Sequence, residues 1–397
     1  MKKRYFAAYS GLPKEVYFLF AARLVNSMGF FITPLLTLIL TRKLGIGKAE
    51  AGAAVAFLTL TQAPCVMLGG HLSDVIGRKK TLMIGNLVGA VFYLVCGLGL
   101  TGKAMVYCII LAADCVAVSV PASDALLADL TKPEERQAAY SLLYLGINIG
   151  MAASPIIGGL LFKNYLFLLF ILDALSSFAF VAIIAVKVPE VFSTRQKTGG
   201  EEKRISFVRA LKGAPIIAVF VAFLFLYDFS YSQWNFMLPA QFGDLFADDG
   251  ARLFSVQTSV NAVTVIVMTP WITRLTKRLR PLKALSLAGV FYTGAYFGFR
   301  AGGPYYLYII YAILFTLGEI CSAIQIGAFI SNRTPAQCLG RINAFSTLSR
   351  GAASALGPLM MGRALVLWGY SASWLITACV AITAMAGFFI LDRRDRP

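Results

Sequence analysis

One histidine, His71, serves the whole 397-residue chain. That scarcity removes most His-based metal sites and nucleophile–base pairs, and with them most catalytic chemistry. Charge is thin as well: 14% of residues are charged, against about 25% in soluble domains. The seven cysteines fall mostly inside apolar runs and show no CxxC or ligand-like spacing. They read as reduced thiols, with neither disulfides nor a metal. No nucleotide-binding signature, GxxxxGK[ST] or GxGxxG, lies in a polar segment, so ATP chemistry has no site here. A cleavable leader is not expected either. The first apolar run is too long and lacks a small-residue cleavage site, so it is expected to remain as a membrane span.

What is abundant is apolar. Hydrophobic residues make up 58% of the chain and the mean hydropathy is +0.73, the composition of a polytopic membrane protein. A bilayer core takes about 20 mostly apolar residues per helix. Such runs fall near 16–40, 51–70, 81–101, 104–128, 138–162 and 165–186, then near 215–240, 253–273, 283–301, 304–331, 341–362 and 370–391. The sequence thus predicts an all-α membrane protein with twelve transmembrane helices in two six-helix halves, 1–186 and 215–397. Between them, 187–214 is the single long polar segment and reads as a linker. Its end, "ISFVRALKG", has the pattern of a surface amphipathic helix.

A net charge of +17 would suit nucleic acid in a soluble protein. Here the cations cluster in the short links between apolar runs, which is a topology signal and excludes a nucleic-acid partner. With both termini on one side, that side collects the great majority of the 36 Lys and Arg. The positive-inside rule makes it cytoplasmic, so both termini and the linker face the cytoplasm. The halves also repeat. Asp114 and Arg136 are spaced as Glu319 and Arg341 are, and Arg23 and Pro34 as Asp228 and Pro239; "SPIIGG" has a counterpart in "GPLMMG". Two parallel six-helix repeats suit a carrier that rocks about a midplane site. A channel would show pore loops or rings of charge instead.

The link between spans two and three, "GGHLSDVIGRKK", resembles the signature of the major facilitator superfamily, G-x-x-x-D-x-x-G-R-K/R-K/R, and the resemblance extends over nearly the whole chain. Gly70, Asp74, Gly77, Arg78, Lys79 and Lys80 match; Val75 departs from the usual basic residue. Gly70 is expected to admit a close helix, and Gly77 a tight turn. Asp74 is placed to cap the positive end of a facing helix, with span eleven as the candidate. Arg78 is placed to pair with Asp129, with Arg136 nearby. These six residues (Gly70, Asp74, Gly77, Arg78, Asp129 and Arg136) form the expected conformational latch. Span five, "GINIGMAASPIIGG", is similar to the antiporter motif of that superfamily's drug/proton exporters. Gly150, Pro155, Gly158 and Gly159 match, while Ser154 stands where glycine is usual. "RLVNSMGFF" and "FTLGEI" also look like that branch, which carries acids in spans seven and ten; Asp228 and Glu319 occupy those places.

A charge at a helix centre costs about 2.5–3.5 kcal/mol on insertion scales. Arg23, Asp114, Asp228 and Glu319, one each in spans one, four, seven and ten, must therefore face one another or water. Arg23 finds its simplest partner in Asp114. Asp228 and Glu319 have no evident cation in their half except Arg350, and an unpaired carboxyl in apolar surroundings is a site of proton exchange. Asp228, Glu319 and Asp114 are the candidate proton-coupling acids; Asp173 in span six suits a structural role. In "YDFSYSQW", Tyr227, Tyr231 and Trp234 share a helical face beside Asp228, a pattern that attracts lipophilic cations. Arg23, Asn26 and Asn148 complete the expected substrate cavity.

The resemblance implies a proton-driven antiporter that exports small lipophilic or cationic compounds. It would need no cofactor beyond the proton gradient, and would act as a monomer among the lipids of a cell inner membrane. The alternative is a proton-coupled symporter for an anionic or zwitterionic nutrient such as a peptide, with Arg23 binding a carboxylate.

Overall fold

A computed structural model describes residues 11–132, 134–190, 215–276, 279–333 and 336–395. The linker, apart from its first residues, and its amphipathic segment lie outside them. Every regular element among the described residues is helical. In lipid no water can satisfy a free backbone amide, so a spanning chain must close its hydrogen bonds within itself.

The helices are α1 Lys14–Met28, α2 Ile32–Leu38, α3 Lys48–Val75, α4 Arg78–Gly97, α5 Gly102–Leu130, α6 Arg136–Phe162 and α7 Leu166–Lys187. They continue as α8 Pro215–Tyr231, α9 Met237–Phe246, α10 Gly250–Thr276, α11 Pro281–Ala301, α12 Tyr305–Arg333 and α13 Ala336–Arg394. Among the described residues nine helical stretches are long and apolar enough to cross a membrane, fewer than the twelve separate runs in the sequence. Two of the nine are merged: 61 residues over Ile216–Thr276 and 53 over Ile342–Arg394. Within α13 the backbone breaks at Gly369, where φ is 70°, a conformation that costs glycine little.

Two expected spans are broken rather than continuous. The first divides after Gly29, and a π turn at Ile39–Lys43 follows α2. The seventh passes through a 3-10 turn, Ser232–Trp234, between α8 and α9. Prolines inside α3, α5, α6, α10 and α13 are tolerated, because neighbouring helices re-satisfy the freed carbonyls.

The chain forms two compact units. The first comprises Met1–Gly45, Leu60–Gln196 and Phe246–Ser259; the second holds Ile46–Thr59, Lys197–Leu245 and Val260–Pro397. In the first, α4 packs on α5 and α7, and α1 on α6 and α7. Its core is mostly aliphatic, with Val16, Leu19, Leu82, Leu126, Leu127 and Ile184 buried around Phe180. In the second, α11 packs on α12 and α13, and α8 on α13. That core is aromatic: Trp374 stacks on Tyr296 and Phe299 packs on Trp374. The buried indole N–H of Trp374 donates to Gln241 Oε1 at 2.7 Å, as a buried donor must. Large aliphatic side chains such as Met67, Val186 and Leu367 stay exposed, which suits surfaces solvated by lipid.

Candidate functional site

In the second unit a cavity of 380 Å³ lies among α8, α11, α12 and α13. Helix α8 supplies Tyr227, Asp228 and Tyr231, α12 supplies Glu319 and Ser322, α11 supplies Tyr292 and α13 supplies Arg350. Residues three and four apart share a helix face, which explains how α8 presents all three of its residues to one space.

The two carboxylates of this wall are held differently. Asp228 Oδ2 accepts from Arg350 Nε at 3.0 Å. The aspartate side chain is 11% exposed and the arginine 50%, so the guanidinium fronts the cavity with the acid behind it. Burial of either charge alone would be costly, and pairing offsets that cost. Glu319 has a polar clasp instead of a cation. Its Oε1 accepts from the Tyr231 hydroxyl at 2.9 Å and its Oε2 from Asn261 Nδ2 at 2.8 Å. Asn261 Nδ2 also donates to Thr316 Oγ1 at 2.9 Å, and Thr316 donates to the Ala312 carbonyl.

Aromatic rings frame these acids. The Tyr227 hydroxyl donates to the Leu285 carbonyl at 2.8 Å, and its ring meets Tyr292 edge-on. Tyr231 and Trp234 both stack on Phe315, at 5.2 and 4.5 Å between ring centres. Trp234 is therefore a buried support and not a lining residue, contrary to the sequence expectation. The 3-10 turn carries Trp234 one tight turn past Tyr231, where its ring is taken up by Phe315 of α12 and Phe299 of α11 instead of the cavity.

The other predicted site residues belong to the first unit. Asp114 accepts from Thr61 Oγ1 at 2.9 Å and forms no ion pair with Arg23, which departs from the expected pairing. The Arg23 guanidinium sits 5.7 Å from the Phe180 ring centre, and Asp124 is the acid whose charge reaches it. Asp124 lies ten residues, nearly three turns, along α5 from Asp114. Asn26 is tied into α4 and α7: it donates to Asn86 at 3.5 Å and accepts from Ser177 at 3.2 Å. Asn148 donates to the Tyr144 carbonyl of its own helix. Asp173 is buried beside the backbone of Phe31 and Ile32, where α2 starts after the helix is interrupted.

In the link between α3 and α4, Gly77 has φ 102°, which only glycine adopts without strain. Arg78 Nε lies 2.5 Å from Asp129 Oδ2, a charge contact rather than an aligned hydrogen bond. Arg136 instead donates to the Ala128 carbonyl at 3.3 Å. The Asp74 side chain is 72% exposed and lies 3.6 Å from Arg78. A methyl on Gly70 would meet nothing within 4 Å among the described residues, and the close approach is made by its neighbour Gly69, against the Val118 backbone. A register one residue earlier on α3 turns Gly69 toward α5.

The glycines of α6 are contact points. A methyl on Gly150 would sit 2.8 Å from the Met28 nitrogen, one on Gly158 3.1 Å from Leu35, and one on Gly159 2.9 Å from Arg252 Cα. Pro155 is buried beside them, and Ser154 donates to the Phe30 carbonyl at 3.3 Å.

Asn261, Tyr292, Ser322 and Thr316 were not among the expected site residues. An amide in the apolar stretch "NAVTVIVM" was the available signal for Asn261, since polar groups in spans seek partners. The others look like ordinary helix residues until the partner helices are in place.

Residues 19–358 match the sequence profile of the Major Facilitator Superfamily. The chain is 25% identical to the MFS-type transporter YqjV of Bacillus subtilis, over 75% of this chain and 72% of that protein. It is 21% identical to a Na(+), Li(+), K(+)/H(+) antiporter of Planococcus maritimus, over 92% of each. Among solved structures, the peptide transporter POT in complex with sulfate superposes with a TM-score of 0.81 and 17% identity, covering 97% of this chain and 96% of that one.

Proposed function

Because the chain belongs to the major facilitator superfamily, and is a multi-pass membrane transporter rather than an enzyme, we propose that it is a proton-coupled antiporter. It exports small lipophilic or cationic compounds by alternating access, without a cofactor. One observation carries this reading: two carboxylates, Asp228 and Glu319, stand on the wall of one tyrosine-framed cavity. A carboxylate beside aromatic rings attracts an organic cation, and the same carboxylate can take a proton in its place. Binding of substrate and of proton then exclude each other, which is what exchange requires. Asp114, held by Thr61, is the third acid of the proposal. Tyr227 and Tyr231 supply the cation-binding rings, with Arg23, Asn26 and Asn148 as polar groups of the N-terminal half.

The proposed architecture has twelve spans. A crossing takes about 20 residues, so each merged stretch, of 61 and 53 residues, contains two, and the 21-residue α11 adds one more. Residues 1–186 and 215–397 form the two halves, and 187–214 joins them. In support, α4 pairs with α5 and α7 as α11 pairs with α12 and α13. Both termini face the cytoplasm, across a cell inner membrane, and the protein acts as a monomer. The link holding Asp74, Gly77 and Arg78, with Asp129 and Arg136, acts as the conformational latch.

The half-exposed guanidinium of Arg350 favours a second reading, proton-coupled uptake of an anionic or zwitterionic nutrient such as a peptide. The test is proton release from purified protein in weakly buffered solution. Release provoked by lipophilic cations supports the exporter, and release provoked only by peptides or small acids supports the symporter. If no compound of either class moves a proton, proton coupling is wrong.

A further inference from the structure

Glu319 is clasped asymmetrically, and the asymmetry dictates where a proton can enter. Thr316 Oγ1 spends its hydrogen on the Ala312 carbonyl at 2.7 Å, so toward Asn261 it can only accept. That fixes the amide of Asn261 with Nδ2 pointing at both Thr316 and Glu319 Oε2, at 2.9 and 2.8 Å. Such an amide cannot accept from a protonated Oε2, and an O–H there would face an N–H across a hydrogen-bond distance. Oε1 has a different partner. The Tyr231 hydroxyl, 2.9 Å away, is both donor and acceptor and reverses by rotation about one bond. Tyr231 also lines the cavity, whereas Asn261 does not.

We propose that Glu319 is protonated on Oε1 alone, through the Tyr231 hydroxyl, and that Asn261, oriented by Thr316, is the positioning residue that closes Oε2 to protons. The inference rests on the proton-coupled reading above. In the step itself, the Tyr231 Oη–H bond breaks as a bond from that hydrogen to Oε1 forms. A hydronium ion from cavity water returns a proton to Oη, so one proton is gained and the phenol ends neutral. The other polar groups near Glu319 do not compete for this path. Tyr292 bonds Ser322 at 3.1 Å, Arg350 is engaged by Asp228, and Tyr296 is fully buried among rings.

The test follows the infrared carbonyl band of protonated Glu319 after a pH jump, in full-length protein in lipid, identified by its loss in Glu319→Gln. Tyr231→Phe keeps the stack on Phe315 and removes only the hydroxyl. It should slow appearance of the band by roughly a hundredfold, the scale of a positioned proton donor. Asn261→Ala should move the titration midpoint and leave the rate within about twofold. Adding Thr316→Val to Tyr231→Phe frees the amide to turn its oxygen toward Oε2, where it accepts from a protonated carboxyl, and should move the titration midpoint while the rate stays slow. A band that still titrates in the double variant also shows that the slow variant is folded. An unchanged rate in Tyr231→Phe, or a midpoint that Thr316→Val does not move, overturns the proposed path while leaving proton coupling intact. If the unaltered protein never shows the band between about pH 4 and 9, Glu319 is not a proton carrier, and the coupled reading fails with the path.

Discussion

The ion pair of Asp228 and Arg350 divides its burial unequally, and its energetics follow. Removing one partner of a fully buried pair costs about 3–5 kcal/mol. Arg350 is half exposed, so solvent screens the pair and a loss of about 1–3 kcal/mol is expected for Arg350→Gln. Asp228 is then left almost wholly buried with no cation. Asp228→Asn should be milder, because the freed guanidinium already reaches the cavity space. The double variant should be more stable than Arg350→Gln alone, since it leaves no orphan carboxylate. Thermal melting of the three variants in one detergent measures this, and equal losses in all three would contradict the unequal burial. Selectivity offers a second prediction. Tyr231→Leu removes a lining ring, whereas Trp234→Leu removes only a buried support behind Phe315. Calorimetry with a lipophilic cation should show a loss of about 0.5–2 kcal/mol in binding for Tyr231→Leu. Trp234→Leu should lower the melting temperature more than it weakens binding.

At the scale of elements, helix contacts are set by small residues whose register a sequence reveals only in part. A methyl on Gly150 collides with the Met28 backbone, while one on Gly70 meets nothing within 4 Å. Gly150→Val should therefore cost about 1–3 kcal/mol through overpacking of α1 on α6, and Gly70→Val should be close to neutral. Comparative melting decides between this and the motif-based expectation that Gly70 is a contact. The tie between the end of α6 and the turn before α10 makes a pH prediction. Lys163 lies 2.9 Å from Asp248, and its hydrogen bond and charge hold the Asp248 carboxyl below its ordinary 3.8. A depressed carboxylate adds stability above its unfolded value and loses it as pH falls through the folded value. The difference in melting temperature between the natural protein and Asp248→Asn should thus be present at neutral pH and be lost progressively as pH falls below the ordinary carboxylate value. The sequence exposed the helices, the Gly77 turn and the Arg78–Asp129 contact, because length, positive φ and paired charges leave local marks. It did not expose the Asn261–Thr316 clasp, the shift from Gly70 to Gly69, or the turning of Trp234. Each of those depends on a partner helix distant in sequence or on a local change in winding.

For the whole molecule, the excess of Lys and Arg on one set of links predicts sidedness as well as orientation. Pro304 stands exposed in the turn between α11 and α12, on the cation-poor side, and Asp395 follows α13 on the rich side. In a background with the native cysteines replaced by serine, Pro304→Cys should react with a membrane-impermeant maleimide in intact cells. Asp395→Cys should react only after the membrane is opened. Labelling of both from outside would contradict the three crossings expected between these points and the shared side of the termini. Alternating access adds a demand that labelling alone does not meet, and Asp74 bears on it. Its carboxylate is exposed and bound only loosely to Arg78, so in this conformation it does little for stability. If the latch reading is right, that carboxylate is needed in the opposite conformation, where it meets a helix end. Asp74→Asn should then leave insertion and melting nearly unchanged and shift the population of states, with a change of about 1.4 kcal/mol altering their ratio tenfold. Distance distributions between spin labels on residues 1–186 and 215–397 read that ratio directly. A distribution identical to that of the natural protein would reduce the link to a turn with a topology signal.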